Sequence, residues 1–428
     1  MNVKPNPSVN ELVDHLFRHN AGQMVSVLTR IFGFENIDVI EDAIQEAMIK
    51  ALNHWPFKGI PKNPTAWLIQ VAKNRVLDQF RRNKRVDPGG GETLEKLDRL
   101  SGKLIEDKFR YPREMKEDLL CMMFATCDPA LKPDSQIALT LKTVGGFSVS
   151  EIAAAFLSKN EATAKMLTRA KKTLKEKKMS LEIPPPDELE PRLNAVMKVL
   201  YLMFNEGYSA SSGAEVVRTD ICFEAIRLAQ ILSDHPVTRS PKVEALLALF
   251  FFQGARLGAR NSQTRDVLLL ADQQRELWDK KMINVGLYHF RRSAVGVEVT
   301  DYHLEAEIAS CHILANDFDS TDWDRMLQCY DLLLNRRFSP VVAINRIIVI
   351  SKVKGAEAAL NELKNVEKTG LLESYLPYHI ACAQLEFETG ALEKAAESYR
   401  RAIQLATNRP TLRFLERKLE ALLQNQEQ

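Results

Sequence analysis

Three carboxylates and one amide stand close together between Glu41 and Glu46, and their spacing allows two kinds of chemistry. Glu41, Asp42 and Glu46 could together hold a metal ion for hydrolysis, because hard cations bind carboxylate oxygens. No histidine stands at helical spacing among them, so we expect a solvated face that binds no metal. Asp42, Gln45 and Glu46 are three and four residues apart and share one face of a helix. A protein-docking surface is the favoured interpretation, and an ordinary charged outer face is the alternative.

A second set of residues lies on the next predicted helix. One stripe, at spacings of three and four, contains Trp67, Gln70, Asn74, Asp78 and Arg81. Between Lys73 and Arg85 there are six basic residues and one acidic residue. An aromatic and amide-bearing surface beside a basic edge suits a nucleic-acid backbone with unstacked bases. The alternative is that Trp67 belongs to the core.

A third set is strongly basic, with seven basic and two acidic residues between Glu161 and Lys178. Ser148 and Glu151 predict a capping box that begins a short helix over residues 149–156. A tight turn follows, and a second helix is predicted to begin with Asn160 as its cap. Two short helices of this kind indicate a helix-turn-helix, whose second helix enters the major groove.

Two groups of side chains on that second helix are candidates for DNA contact. The base-edge candidates are Asn160, Ala164, Lys165 and Thr168, and the phosphate candidates are Arg169, Lys171, Lys172 and Lys175. A basic C-terminal turn also stabilises the helix dipole without touching DNA, which leaves a purely structural interpretation open.

Helical periodicity positions all three sets, and no convincing series of alternating strands occurs, so the predicted fold class is all-α. The residues from Ile37 to Trp55 form a strongly amphipathic helix, and a second helix begins at Asn63-Pro64, where an N-cap precedes proline. Residues 84–112 contain a Gly-rich run and mixed charge and predict a flexible linker.

The linker and a Pro-rich spacer divide the chain into three folded parts. The spacer is residues 181–192, and the predicted folded parts are residues 1–83, 113–180 and 193–428. From about residue 300 the last part contains a degenerate helical repeat. Pro340 and Gly355 correspond to Pro377 and Gly390, as in tetratricopeptide helix pairs. An irregular helical bundle is the alternative.

Composition narrows the class of function. Of the 428 residues, the first 180 carry 29 Lys and Arg against 22 Asp and Glu, whereas the rest carry 29 against 34. The basic part is the candidate for a polyanion and the acidic part for protein. Apolar runs are too short to cross a membrane. The six cysteines form no CxxC pair, and no phosphate-binding loop or nucleophile triad occurs, so we expect reduced thiols, no cofactor and no enzymatic activity.

These domains, in this order, resemble the extracytoplasmic-function class of bacterial RNA polymerase sigma factors. The likeness to region 2 of that family is carried by residues 41–47, 55–56, 59–61, 63–68, 72–78 and 81–82, and the likeness to region 4 by residues 120–131 and 138–146. Residues 200–209 and the repeat-containing tail are similar to a subgroup with a long C-terminal helical extension. Asp128 departs from the family pattern, in which histidine is common at that position.

The resemblance implies a location, a set of partners and a role for each set of residues. Asp42, Gln45 and Glu46 would bind the clamp helices of the largest polymerase subunit, and the helix-turn-helix domain would lie at the flap region and read the minus-thirty-five element. The loop from Pro56 to Asn63, with Trp67 and Asn74, would help to capture and read the melted minus-ten element. The DNA-binding residues implied in this region are Lys58, Asn63, Trp67, Asn74, Arg75, Arg81 and Arg82. The extension would bind an unidentified protein, and the location would be the bacterial cytoplasm at the nucleoid.

Two other classes of protein remain as alternatives. The first is a tetratricopeptide scaffold whose basic head binds nucleic acid without engaging polymerase. The second is a helical hydrolase in which Glu41, Asp42 and Glu46 hold a metal ion.

Overall fold

The chain is described by a computed structural model. The structure describes residues 9–84, 98–103, 105, 112–156, 158–208, 218–259, 270–367, 375–406 and 409–426. This part of the chain contains helices, short 3-10 turns and loops, and no β-strand. The all-α prediction is therefore confirmed. The chain divides into two compact units, residues 1–202 and 203–428.

Within the described residues, seven helices lie wholly in the first unit besides a short helix over residues 98–103. They are α1 (Val9–Phe32), α2 (Ile37–Lys58), α3 (Pro64–Lys84), α4 (Pro112–Thr126), α5 (Pro133–Thr143), α6 (Val149–Ala155) and α7 (Asn160–Glu176). An eighth, α8 (Pro186–Tyr208), begins in this unit and continues into the second. α1 packs against α2, α3, α4 and α5. The helices of the two predicted domains, 1–83 and 113–180, therefore pack against each other.

Local signals in the sequence set the ends of these helices. The Asn63 side chain accepts a hydrogen bond from the Ala66 backbone N–H at 3.0 Å, which confirms the predicted cap of α3. At α6, the Glu151 carboxylate accepts from the Ser148 N–H at 2.8 Å, and the Ser148 hydroxyl accepts from the Glu151 N–H at 3.2 Å. This is the predicted capping box. At α7 the prediction is shifted by one residue, because Lys159 is the N-cap and Asn160 is already helical.

Part of the predicted flexible linker is helical. Residues 98–103 form a short helix, in which Asp98 accepts a hydrogen bond from the Lys73 ammonium at 2.7 Å. Lys73 is buried, so it belongs to this contact and not to the exposed basic edge of α3. This ion pair joins α3 to an ordered segment whose composition predicted flexibility. Residues 85–97, 104 and 106–111 of the predicted linker lie outside the described residues.

Asp128, in the turn after α4, forms ion pairs with Lys177 after α7 and with Arg192 in α8. Its carboxylate is fully buried and accepts hydrogen bonds from Lys177 at 2.7 Å and from Arg192 at 2.8 Å. The Ala130 backbone N–H donates a third, at 2.8 Å. Burial by itself would raise the pKa of Asp128, but these hydrogen bonds and the two cations outweigh it and hold the pKa below its ordinary value.

The Asp128→Asn variant is expected to lower the free energy of unfolding at neutral pH by on the order of 3 kcal/mol, because two cations lose their buried partner. The folded-state pKa of Asp128 lies below the unfolded value. Its stabilising effect is therefore complete above about pH 4 and is lost as pH falls further. Urea unfolding of both proteins at pH 7 and pH 3 measures this. A difference in stability that stays constant down to pH 3 would contradict it.

In the described part of the second unit there are ten further α-helices. They are α9 (Thr219–Asp234), α10 (Pro241–Gly254), α11 (Lys280–Ser293), α12 (Asp301–Leu314), α13 (Trp323–Arg336), α14 (Pro340–Lys354), α15 (Ala356–Glu367), α16 (Leu376–Glu388), α17 (Leu392–Leu405) and α18 (Arg409–Gln426). α10 is buried all round, and Phe250 on it stacks on Phe204 with 4.4 Å between ring centroids. Glu244 of α10 is buried too, and its carboxylate lies 2.6 Å from His289 Nδ1.

Successive helices from α13 to α17 pack against one another, and two turns repeat. Pro340 and Pro377 occupy the first turns of α14 and α16. Gly355 and Gly390 follow the last turns of the same helices with φ of +89° and +79°. Glycine adopts positive φ without steric cost, so each helix can end sharply and its successor can pack back on it. The two positions predicted from the sequence therefore have equivalent places in consecutive helix pairs.

Cysteine and hydropathy patterns agree with the fold. All six cysteines are free thiols, and five of them are buried. Within the residues that the structure describes, no helix has the length and apolar character needed to cross a membrane.

Candidate nucleic-acid and protein interface

The acidic row on α2 points to solvent. Asp42, Gln45 and Glu46 are exposed, whereas Ala43 and Ile44 between them are buried in the core of the first unit. This division follows from amphipathic spacing, since an apolar residue at every third or fourth position leaves the opposite face polar. The structure therefore puts the three predicted docking residues together on one accessible helix face.

An ion pair joins this row to the basic edge of α3. The Arg75 guanidinium donates a hydrogen bond to the Glu46 carboxylate at 2.8 Å, and both side chains remain partly exposed. Pairs of this kind contribute about 0–1 kcal/mol to stability, so a competing partner breaks them easily. The acidic row of α2 and the basic edge of α3 are thus neighbours on one surface.

Trp67 lies at the base of the same surface and is half-buried. Its ring packs edge-on against buried Trp55 at 5.4 Å between centroids and lies 6.1 Å from His54. The half-buried position of Trp67 therefore agrees in part with each of its two interpretations, as a core residue and as a stacking platform. Part of the ring holds α2 to α3, and part remains accessible to a ligand.

Polar groups continue along α3 beyond Trp67. Gln70 donates to Asn74 at 3.2 Å, and both are exposed. Arg81 pairs with Asp78 at 2.8 Å and lies 3.5 Å from Asp98. Arg82 is exposed, as are Lys58 and Asn63 at the loop between α2 and α3. The predicted nucleic-acid residues of this region are therefore exposed or partly exposed on α2, the loop and α3.

The second helix of the helix-turn-helix divides cleanly into two faces. Thr163, Leu167, Ala170 and Leu174 are buried. Six of the residues of α7 predicted to bind DNA are exposed, namely Asn160, Ala164, Lys165, Thr168, Arg169 and Lys172. The polar face of α7 is therefore accessible to a DNA groove without any change in the packing of the buried residues of this helix.

Two lysines of α7 do not belong to that face. Lys171 is buried, and its ammonium lies 2.9 Å from Asp38 and 2.8 Å from Glu41, both on α2. Lys175 lies 2.5 Å from Asp38. In this arrangement tertiary packing gives these two predicted phosphate contacts carboxylate partners on α2.

The sequence analysis included the loop from Pro56 to Asn63 but gave no role to the apolar side chains of this surface. Phe57 is 89% exposed in the last turn of α2, and Ile49 and Ile60 are 57% and 46% exposed. Phe57 and Ile60 stand on either side of Lys58 in the sequence, and Ile49 follows Glu46 of the acidic row by one helical turn. Helical spacing could have identified Ile49 and Phe57 as exposed, because neither falls on the buried stripe of α2. Exposed apolar side chains grouped in this way are typical of an interaction site.

Comparison with known proteins assigns this region. Residues 16–86, which contain all of α2, match the family described as sigma-70 region 2. Residues 192–294 match a family of unknown function, DUF6596. The uncharacterized protein R00370 of Rhizobium meliloti (strain 1021) is 36% identical over 394 residues, which cover 91% of each chain. The chain belongs to the same family as this protein. No solved structure matches the chain.

The sigma-70 region 2 domain contains the acidic row, Trp67 and the basic edge of α3. Its presence supports a sigma factor with a role in promoter recognition. α7 lies outside the matched residues, and the DUF6596 match ends at residue 294, before α12 begins.

Proposed function

We propose that this chain is a sigma factor of the extracytoplasmic-function class, which binds core RNA polymerase, selects promoters and favours DNA melting. The proposal rests mainly on the sigma-70 region 2 domain, whose exposed Asp42, Gln45 and Glu46 stand beside Trp67 and Arg75. Sigma factors perform no bond chemistry, so the chain acts by binding alone.

Docking begins at the acidic row of α2. Asp42, Gln45 and Glu46 offer carboxylate and amide oxygens to a basic helical partner, for which we propose the clamp helices of the largest polymerase subunit. Ile49 and Phe57 add apolar area at the edge of this row. Interfaces combine a desolvated apolar centre with charged groups that set specificity and the rate of encounter.

Melting follows from capture of an unpaired base at the minus-ten element. Separating DNA strands costs about 1.4 kcal/mol per base-pair stacking step. Stacking one base on an aromatic ring returns about 1–3 kcal/mol. Trp67 has an accessible ring portion for this purpose, and Asn74, Arg81 and Arg82 extend along the path of the backbone. Capture on this surface would hold an open promoter without ATP.

The polar face of α7 supplies the second DNA contact, at the minus-thirty-five element. Its N-terminal residues face the base edges, while Arg169 and Lys172 hold phosphates. Two weak contacts on one chain strengthen each other, because the first raises the effective concentration of the second.

We assign a protein-binding or regulatory role to the C-terminal extension. Consecutive helix pairs with equivalent prolines and glycines, as at Pro340, Gly355, Pro377 and Gly390, support a tetratricopeptide-like arrangement. Stacked pairs of this kind form extended surfaces that bind other proteins.

Transcription by purified core polymerase tests the proposed function. Transcripts initiated on fragmented genomic DNA, with and without the full chain, would be sequenced from their 5′ ends. We expect new start sites that share two sequence elements upstream, and only when the chain is present. An unchanged set of start sites together with no association with core enzyme would overturn the proposal.

The Lys172→Ala variant is expected to weaken binding to duplex DNA that carries the minus-thirty-five element. Loss of one phosphate contact should reduce the slope of log affinity against log salt concentration by about one, and equally for related sequences. Fluorescence anisotropy at several salt concentrations measures this slope. Lys132→Ala is the matched control, because Lys132 is an exposed lysine of the first unit outside α7. Equal slopes for Lys172→Ala and the control would contradict the assignment.

A further inference from the structure

Two arginines flank one buried indole in the second unit, and we name these residues, together with His312, the Arg275 cluster: Arg256, Arg275, Trp278 and His312. The guanidinium carbon of Arg275 lies 4.7 Å from the centre of the Trp278 ring, and that of Arg256 lies 5.6 Å from it. Trp278 and His312 are 4% and 8% exposed, whereas both arginines are partly exposed. The cluster therefore lies just below the surface, and its two cations are accessible from solvent.

Part of Arg275 has an ordinary structural role. This residue begins the 3-10 turn Arg275–Leu277, and its Nη1 donates to the backbone oxygens of His312 at 2.6 Å and Ala315 at 2.9 Å. Both oxygens are at the C-terminal end of α12, where backbone carbonyls lack partners within the helix. Capping of α12 therefore accounts for Nη1, but it does not account for the other nitrogen atoms of the cluster.

Three buried nitrogen atoms of the cluster have no hydrogen-bond partner, namely Arg275 Nη2, Trp278 Nε1 and His312 Nδ1. An unsatisfied buried donor is costly, so native structures rarely group such atoms. Guanidinium and indole nitrogens only donate, and a neutral imidazole can carry its proton on Nδ1. The three atoms are thus complementary to a molecule that offers several acceptor oxygens.

The charge of the cluster favours an anion. Asp317 is the carboxylate that acts on Arg275, and its Oδ1 already accepts a hydrogen bond from the Ser320 N–H at 2.7 Å. Burial, together with the Arg256 and Arg275 guanidinium groups, lowers the pKa of His312 to about 3, so its ring is neutral at physiological pH. Two cations that flank one ring repel each other, and an anion between them would remove that repulsion.

We propose that the Arg275 cluster is a binding site for a small oxyanion, which is the carboxylate or phosphate group of a solute molecule. Guanidinium groups match the oxygens of both groups, and the hydrogen bonds that they donate to an ionised acceptor are strong. A metal ion is disfavoured, because the two guanidinium groups would repel it. The match to DUF6596 over residues 192–294 includes Arg256, Arg275 and Trp278. The inference therefore goes beyond the proposed function and gives this region a ligand chemistry of its own.

Fluorine NMR of the full chain labelled with 5-fluorotryptophan observes the site directly. The chain has four tryptophans, and the Trp278→Phe variant identifies the Trp278 resonance by its loss. Titrations with inorganic phosphate and, separately, with acetate at constant ionic strength should shift this resonance until it saturates with at least one of them. The resonances of Trp55 and Trp67, in the first unit, should not move. Saturation by phosphate alone would assign a phosphorylated ligand, and saturation by acetate alone would assign a carboxylic acid. A Trp278 resonance that neither probe moves would overturn the proposal and leave water as the partner of the three nitrogens.

Calorimetry on variants separates this site from nonspecific binding of anions. Trp278→Phe keeps an aromatic ring beside the arginines but removes one N–H, so it should bind the same probe about 10- to 150-fold more weakly, as expected for one hydrogen bond to a charged group. Arg275→Gln removes a charge and should abolish measurable binding. Arg337→Gln makes the same substitution at an exposed position of the same unit and should bind as the natural chain does. Unchanged affinity in both cluster variants would overturn the proposal.

Thermal unfolding controls for damage to the fold. Arg275→Gln also loses the cap of α12, so its midpoint without ligand is expected to fall, whereas Trp278→Phe loses no hydrogen bond that the free chain makes. A ligand that binds only the folded state raises its stability. The saturating probe should therefore raise the midpoints of the natural chain and of Arg337→Gln, and should raise those of the two cluster variants less. An equal rise in all four proteins would overturn the proposal. These measurements contain no polymerase, so their outcome is independent of the proposed function.

Discussion

The Asp42→Arg variant is expected to bind core RNA polymerase at least about 100-fold more weakly than the natural chain. Asp42 is exposed at the N-terminal end of the acidic row, and it takes no part in the ion pairs of Asp38 and Glu41 with Lys171 and Lys175. Reversing its charge places a cation against the basic partner that we propose, and like charges at an interface cost several kcal/mol. A 100-fold loss corresponds to about 2.7 kcal/mol. Titration of fluorescent chain with core enzyme measures the affinity.

A matched variant excludes a nonspecific effect of charge. Glu182→Arg introduces the same charge change at an exposed site in the loop after α7 and should bind polymerase normally. Thermal unfolding should give similar midpoints for both variants, because neither side chain is buried. If Asp42→Arg bound as tightly as Glu182→Arg, the acidic row would not be the docking surface.

Trp67→Ala is expected to reduce the open-complex population by about 5- to 150-fold while affecting duplex binding much less. This range corresponds to the loss of about 1–3 kcal/mol of base stacking. The physical reason is that an unpaired base exists only after strand separation, so its capture stabilises the open state alone. Permanganate reactivity of unpaired thymines reports opening, and filter binding at low temperature reports the closed complex.

Structural damage at this position has its own control. Because Trp67 packs against Trp55 at 5.4 Å, removing the ring also leaves a gap between α2 and α3. Trp67→Leu keeps most of the packing volume but has no aromatic face, whereas Trp67→Phe keeps a face. We expect melting to be lost in the leucine variant and largely retained in the phenylalanine variant. Equal melting by these two variants would show that Trp67 acts through packing.

Local chemistry made the region 2 surface predictable. The apolar stripe of α2 determined which way Asp42, Gln45 and Glu46 face, and the Asn63 cap determined where α3 begins. The exposed face of α7 followed in the same way from residues three and four apart. Phe57 received no role of its own because the interpretation of the sequence considered charged and amide side chains. Its position off the buried stripe of α2 nevertheless predicted that it would be exposed.

The linker shows where such reasoning stops. Composition favoured flexibility for residues 84–112, yet Asp98 reaches Lys73 and the short helix around it is ordered. A Gly-rich run lowers the preference for structure, but an ion pair with buried Lys73 on a neighbouring helix accompanies local order. No feature within the linker itself carries that information.

The sequence alone predicted a helical chain, an acidic row before a basic aromatic helix, and two helices joined by a tight turn, the second of which has an exposed basic face. These properties depend on residues within one or two helical turns of each other. Only the tertiary structure decided that Lys171 and Lys175 face carboxylates, because their partners lie 130 to 137 residues away. Helical periodicity orients a side chain on its own helix but does not specify which distant helix packs against it.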